Sequence, residues 1–407
     1  MRLLLPLEQR YYRSPNGHLY SADPGTYAYL QTFLTVFDHV TVVARVRENN
    51  RVFSEAQRAD GPQVDFAFLP DFRSPLGCLT RAQGMRKIIQ DAAARTDAVL
   101  MRMPGVVSEL VRRVVVARGG RYGVHVVGDP EGVFAPAAHA SHLRPFYRSF
   151  FTRQLERACR EEANAVAYVS RHTLPQRYPA GEGIPTFVLS NVNLHGAIDA
   201  SGSVAARVAR IERGSPLHIG TVASLDVPYK GIDVLLQALS VCRSKFAFQC
   251  TVAGDGALKQ DLIELTQKLG LADRVKFAGY IEPGNRIFEF LDTVDLYVQP
   301  SRTEGLPRAL IEAMARGCAA IGSNVGGIPQ LLGVSERVAA NDAAALAEKM
   351  MEVGCDAQRM HTLMQQNVDA AREYEGPKVD ATRIAFLKAI RDRSSVFMQG
   401  AACACAE

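Results

Sequence analysis

No apolar run in the 407 residues reaches the roughly 18–20 that a membrane-spanning helix needs. The opening stretch MRLLLPLEQRYYR has too short an apolar segment for a secretory leader, and charge follows at once. It reads as a first β-strand, and a cytoplasmic location is expected. No CxxC pair occurs among the eight cysteines, and no His/Cys cluster has zinc spacing. Most of the cysteines sit in apolar runs, where Cys serves as a small core residue, so disulfides and structural zinc are not expected. Tryptophan is absent too. Yet apolar residues make up 47% and charged residues 22%, the balance of a soluble globular chain long enough for two cores.

Charge is unevenly spread. Residues 1–195 hold 24 Lys+Arg against 17 Asp+Glu, a net of +7, and the remainder hold 23 against 25, a net of −2. A basic first half admits two readings, a partner with phosphate or an anionic surface, or Arg-rich solvated helices. The segment LRPFYRSFFTR at 143–153 repeats the choice locally. It suits a helix resting on an anionic bilayer or a lipid diphosphate, and equally a helix that buries Phe146, Phe150 and Phe151 in the core.

Apolar runs alternate with amphipathic stretches along the chain. The first half has runs at 2–7, 39–46, 64–69, 98–103, 122–128, 165–170 and 186–191, with helix-period segments such as VVSELVRRVVVA at 106–117 between them. The segment 192–214, opening NVNLHGAIDASGSV, loses the period and reads as a linker or hinge. The alternation then restarts, with runs at 217–222, 247–254, 275–281, 296–301 and 318–323. This pattern predicts two α/β domains, each a Rossmann-like, doubly wound parallel sheet, facing each other across a cleft. The expected domains are 1–195 and 196–377, followed by a helix at 378–395 and a frayed tail at 396–407.

In open α/β sheets, ligands bind outside the carboxyl ends of the strands. Five strand-end loops of the second half therefore matter. SRTEGLPRALIE at 301–312 places Glu304 just before a helix that Pro307 opens, and Glu312 further along that helix. The helix N-terminus favours an anionic or hydroxyl-rich ligand, and one ligand can span both carboxylates. A capping carboxylate plus an exposed helix glutamate fits the spacing as well. GTVASLDVPYKG at 220–231 supplies Ser224 and Lys230, the latter a phosphate clamp or a solvated lysine. VAGDG ends at a tight turn containing Gly254, too incomplete for a dinucleotide fingerprint. KFAGY offers backbone near Tyr280 to a base edge, and Gly326 and Gly327 let amides approach a phosphate. A lysine, bare amides and two separated carboxylates suit a nucleotide that carries a diphosphate and a sugar.

PYKG, VAGDG, VKFAGYI, EGLPRALIEAMARG and NVGGIP, in that order over 217–332, resemble glycosyltransferase family 4. These are the retaining enzymes of the glycosyltransferase B fold, and the surroundings are most similar to those of enzymes that build bacterial capsular or exopolysaccharide. The resemblance implies that Glu304 lies beside the donor sugar, with Gly305, Leu306 and Arg308 close by. It implies that Glu312 holds ribose hydroxyls, that Lys230 meets the diphosphate and that backbone near Tyr280 pairs with the base. Gly25 and Thr26, at the start of the first helix, are candidates for closing over the phosphates. Asp129, in VVGDPEGVF, is the candidate for orienting the acceptor hydroxyl, and Arg171 and His172 are candidates for acceptor contact; a turn-forming Asp-Pro and a helix-start His fit these positions too. Three departures stand out: Ser224 where the family commonly has Arg, Pro307 in place of a glycine, and Gln330 in place of a frequent Glu.

The activity implied by the resemblance is hexose transfer from a UDP- or GDP-sugar to a saccharide or polyprenyl-diphosphate-linked acceptor. No Asp-x-Asp occurs, the pair with which another class of glycosyltransferases holds a divalent ion, so neither metal nor cofactor is expected. A nucleic-acid partner is not expected, and peripheral contact with the inner face of the cell membrane remains open. So do three rivals: a nucleotide-sugar epimerase of the same fold, a hydride-transfer enzyme, and a non-catalytic sensor of sugar nucleotides. A small natural product as acceptor is the further alternative.

Overall fold

The computed structural model describes residues 1–21, 25–48, 53–72, 81–133, 144–192, 194, 196, 198, 201–282 and 284–394. The tail at 396–407, Cys78, Cys403, Cys405, Phe134 and Leu143 lie outside them.

The first sheet comprises β1 (Arg2–Arg13), β2 (Leu19–Ser21), β3 (His39–Glu48), β4 (Val64–Leu69), β5 (Ala98–Met103), β6 (Tyr122–Val126), β7 (Ala163–Tyr168) and β8 (Thr186–Val188). The parallel order is β4-β3-β1-β5-β6-β7-β8, and β2 pairs antiparallel with the far half of β1. The second sheet comprises β9 (Leu217–Val222), β10 (Phe248–Ala253), β11 (Val275–Gly279), β12 (Leu296–Gln299), β13 (Ala319–Ser323) and β14 (Arg337–Val338). Its order is β11-β10-β9-β12-β13-β14, parallel throughout. The direction of winding reverses between β1 and β5 and again between β9 and β12. Each reversal opens a crevice at the carboxyl ends of the strands.

Period-two burial explains the layers. Leu3, Leu5 and Leu7 of β1 pack on one face of the first sheet, and Leu4 packs on the other. The face with Leu3 is covered by the helix Tyr27–Leu34 and by the last helix, Gly376–Arg393, which crosses back from the second domain. Phe386, Leu387 and Ile390 of that last helix are fully buried. Gly123 makes room for it, since a Cβ there would lie 2.2 Å from Ile390 Cδ1. Leu189 belongs to the first core and Val192 to the second, while Ala371 packs in the second and Val379 in the first. Both passages between the domains are therefore short.

β1 runs on past the apolar run at 2–7 to Arg13, and Ser14 N donates to His18 O at 3.0 Å before β2 returns. Two expectations change. The linker expected at 192–214 contains a helix, Ser201–Glu212. Its Gly and Ser content masks the spacing of Val204, Arg207, Val208 and Ile211, which is that of one helix face. The arginine-aromatic helix, Arg144–Arg157, buries only Leu155 fully, and Phe146 is 65% exposed, so the core reading of its three phenylalanines does not hold.

Candidate active site

The loop after β12 is fixed by an arginine that sequence reasoning missed. Arg302 braces the loop from behind the cavity: its backbone N donates to Tyr229 O at 2.7 Å, and its guanidinium grips Asp233 with two bonds of 2.9 and 2.6 Å. This brace holds the Pro228–Lys230 turn against the loop. Gly231 completes the approach in the left-handed region, at φ 70°, where a Cβ would meet Pro300 O at 2.1 Å. Lys230 Nζ thereby reaches Glu304 Oε1 at 2.7 Å. Ser301 Oγ and Gln299 Nε2 donate to the same oxygen at 2.8 and 3.1 Å. The carboxylate side chain is only 8% exposed, so these charge-assisted bonds act in a shielded setting.

Gln299 and Ser301 also escaped sequence reasoning. The signal is present: both are polar residues at the end of an otherwise apolar, buried strand, and buried polar groups need partners.

These residues form one wall of a cavity of about 660 Å³ at the β9/β12 crevice. Ser224, Lys230, Gly254 and Tyr280 line it from the loops after β9, β10 and β11. Glu304, Leu306, Arg308 and Glu312 line it from the segment after β12. Burial raises the Glu312 carboxyl above its ordinary pKa, and Arg308, 3.9 Å away, offsets this only in part. Arg308 Nε is itself buried, with no hydrogen-bond partner among the described residues. Ser224 Oγ engages Asp226 Oδ2 at 3.3 Å and adds no cation. The room suits a ligand with several polar groups, since its lining presents an acid paired with an amine, a second acid beside Arg308, and the chain near Tyr280.

The remaining candidates lie elsewhere. Gly326 and Gly327 are absent from the lining and instead back the loop, since a Cβ on Gly326 would lie 1.8 Å from Glu304 O and one on Gly327 2.3 Å from Gly305 O. Gly305 abuts the first domain near Val127 O. Gly25 is buried within the first domain, its carbonyl accepting from Tyr11 OH at 3.0 Å. Thr26 caps the helix Tyr27–Leu34 and borders a second, smaller cavity that Arg308 also lines. Asp129 is taken up by an ion pair with Arg177, by Tyr178 OH at 2.7 Å and by Glu131 N at 3.0 Å, which makes it a turn residue. Arg171 is a strut between domains, with its N donating to Gln330 Oε1 at 2.7 Å and its guanidinium to Glu373 at 3.3 Å. His172 is exposed at the start of the short helix Thr173–Arg177 and lines neither cavity.

The sequence around this cavity has a family counterpart: residues 216–356 match the model described as "Glycosyl transferases group 1". Protein CapJ of Staphylococcus aureus is 26% identical over 300 residues, 72% of either chain. The amylovoran biosynthesis glycosyltransferase AmsK of Erwinia amylovora is 35% identical over 148 residues, 34% of this chain and 36% of AmsK. The match to AmsK thus spans about a third of that relative. Among solved structures, HepE of Anabaena in complex with UDP and glucose superposes with a TM-score of 0.68 at 16% identity, covering 95% of this chain and 99% of that one. Sucrose-phosphate synthase from Thermosynechococcus elongatus gives 0.67 at 17% identity, covering 95% and 98%. At such identities the likeness is one of fold. The two parallel-sheet domains have the glycosyltransferase B fold.

Proposed function

We propose that the chain is a retaining glycosyltransferase of polysaccharide biosynthesis, moving a hexose from a nucleoside-diphosphate sugar to a saccharide or lipid-linked saccharide. The observation that carries this reading is the Lys230–Glu304 pair, 2.7 Å apart, on the wall of a cavity that Glu312 also lines. Cleavage of the sugar–phosphate bond leaves negative charge on the diphosphate and positive character on the sugar ring. Lys230 and the amides of the loop meet the first, and the Glu304 carboxylate meets the second while positioning sugar hydroxyls. Glu312 binds ribose hydroxyls, and the strand-end backbone near Tyr280 pairs with the base. Retention proceeds on one face of the sugar, the departing phosphate taking the acceptor proton, so neither a protein base nor a metal is required. The relatives' names support polysaccharide assembly, and the HepE complexes support UDP as the donor nucleotide, with GDP-mannose the leading alternative.

The test is thermal melting with UDP, GDP, ADP and their sugars. The fitting nucleotide at 100 times its Kd is expected to stabilise by about 2.7 kcal/mol. Glu312→Gln is expected to raise the melting temperature without ligand, because it removes a buried charge, and to weaken the nucleotide about ten-fold. The raised carboxyl makes the parent's disadvantage fully present above the folded pKa, and it fades as pH falls through that pKa towards the ordinary glutamate value. The gain from Glu312→Gln must fade likewise. No response to any nucleoside diphosphate would refute the reading.

We further place the helix Arg144–Arg157 against an anionic membrane surface. The helix carries Arg144, Arg148, Arg153 and Arg157 against one acid of its own, Glu156, with Arg157 paired to Glu161 and Glu162 beyond its end, and its Phe146 is exposed and stacks on Phe150 at 6.3 Å. The protein is expected to sediment with phosphatidylglycerol vesicles and not with phosphatidylcholine vesicles, and Phe146→Asp to reduce pelleting at least about five-fold. Equal pelleting with both lipids rejects this placement.

A further inference from the structure

The smaller cavity, about 240 Å³, lies between the helix Tyr27–Leu34 and the last helix, Gly376–Arg393, over the ends of β5 and β6. Three guanidiniums line it, each from a different element: Arg102 from β5, Arg308 from the second domain and Arg383 from the last helix. Among the described residues of the lining one carboxylate opposes them, Asp380, which pairs with Arg383. Three positive charges less one negative leave a lining of +2. His125 adds none: burial first, then the charge of Arg102, pushes its imidazole down to about 3. Its Nε2 lies 3.1 Å from Leu189 O.

Two of the guanidiniums are under-used. Arg102 donates to Tyr29 OH at 3.0 Å, but its Nε is buried without a partner among the described residues, as is Nε of Arg308. Buried donors left without acceptors are costly, and both side chains line this one small cavity. A neutral sugar supplies hydroxyl acceptors but leaves the excess charge unmet. An oxyanion meets both needs, and a guanidinium fork binds it with two parallel bonds. The volume falls below the roughly 300–1,000 Å³ of pockets for drug-sized ligands and suits a single sugar ring.

We propose that this cavity binds an acidic sugar of the acceptor, its carboxylate or phosphate held by Arg102, Arg308 and Arg383. The inference rests on the glycosyl-transfer reading above, because Arg308 lines both cavities and so puts a group seated here next to the donor. The acceptor would then be a saccharide whose receiving end carries a negative charge, and a neutral analogue would bind poorly.

Calorimetric titration of the full chain, with UDP saturating, compares glucuronate, glucose 1-phosphate and glucose. One of the two anions is expected to bind at least about ten-fold more tightly than glucose. A stronger response to glucuronate assigns a carboxylate, and one to glucose 1-phosphate assigns a phosphate. Arg102→Gln and Arg383→Gln are each expected to shrink the preference to about threefold or less, and Arg102→Lys to restore part of it. Circular dichroism matching that of the parent shows that these variants fold. Equal binding of all three compounds, or a preference that survives in both glutamine variants, overturns the proposal. A parent protein that binds neither UDP nor any other nucleoside diphosphate defeats the transfer reading instead, so the two failures are distinct.

Discussion

Glu304→Gln is expected to lower the rate of sugar transfer by about 10²–10³-fold, while a nucleoside diphosphate binds as tightly as before or more tightly. The split follows from the geometry of one oxygen. Lys230, Ser301 and Gln299 all converge on Glu304 Oε1, which fixes the carboxylate and leaves its second oxygen outside that cluster. An amide of the same shape keeps the loop in place, because Arg302 and Gly231 brace it independently. It removes the negative field that favours positive character on the sugar. It also frees Lys230 from its ion pair, so the ammonium is more available to the diphosphate. Rate and affinity therefore move apart, which damage to the fold would not produce. The measurements are kcat with the fitting donor and the Kd of its nucleotide by calorimetry. A rate within about threefold of the parent would remove Glu304 from the reaction.

The same loop shows what the sequence makes legible. Lys230, Gly254, Tyr280 and Glu304 each follow a short strand, and parallel winding brings all such strand ends to one rim. Their convergence can be read from local pattern alone. Glu312 follows from helical spacing, two turns beyond Glu304. Contacts between positions far apart in the chain are what no local pattern encodes. Asp129 reads as a cleft acid until Arg177 and Tyr178, 48 and 49 residues away, claim its two oxygens. Arg171 reads as an acceptor contact until Gln330, 159 residues on, takes its backbone amide. That contact also gives Gln330, which stands in place of a frequent Glu, a part as a tie between the domains. Gly326 and Gly327 do permit close approach, but what approaches is the chain's own Glu304 and Gly305 carbonyls. The helix at Ser201–Glu212 is hidden by composition: glycine and serine at its start outweigh the apolar spacing beyond them.

That helix carries the residue whose loss should cost the fold most. Arg207→Met is expected to destabilise the second domain by about 3–5 kcal/mol, seen as a lower urea midpoint and a melting temperature reduced on the order of 10 °C. Arg207 is fully buried and donates to three backbone carbonyls: Val294 O at 2.6 Å, Arg316 O at 2.7 Å and Leu291 O at 2.6 Å. Leu291 and Val294 lie at the carboxyl end of the helix Asn285–Thr293, and Arg316 just past that of the helix Arg308–Ala315. These are the ends where unpaired carbonyls and the helix dipole concentrate negative character, so one guanidinium satisfies two helix termini at once. Methionine keeps much of the volume but leaves three buried carbonyls without that donor. Lysine keeps the charge but cannot reproduce the fork, so Arg207→Lys should recover only part of the loss. The helix Arg308–Ala315 also bears Arg308 and Glu312, which makes Arg207 a positioning residue for the cavity as well as a stabilising one. Nucleotide affinity should therefore fall in Arg207→Met at temperatures where the protein is still folded. A midpoint shift worth less than about 1 kcal/mol would mean that water replaces the guanidinium at all three carbonyls, and that the two helix ends do not depend on it.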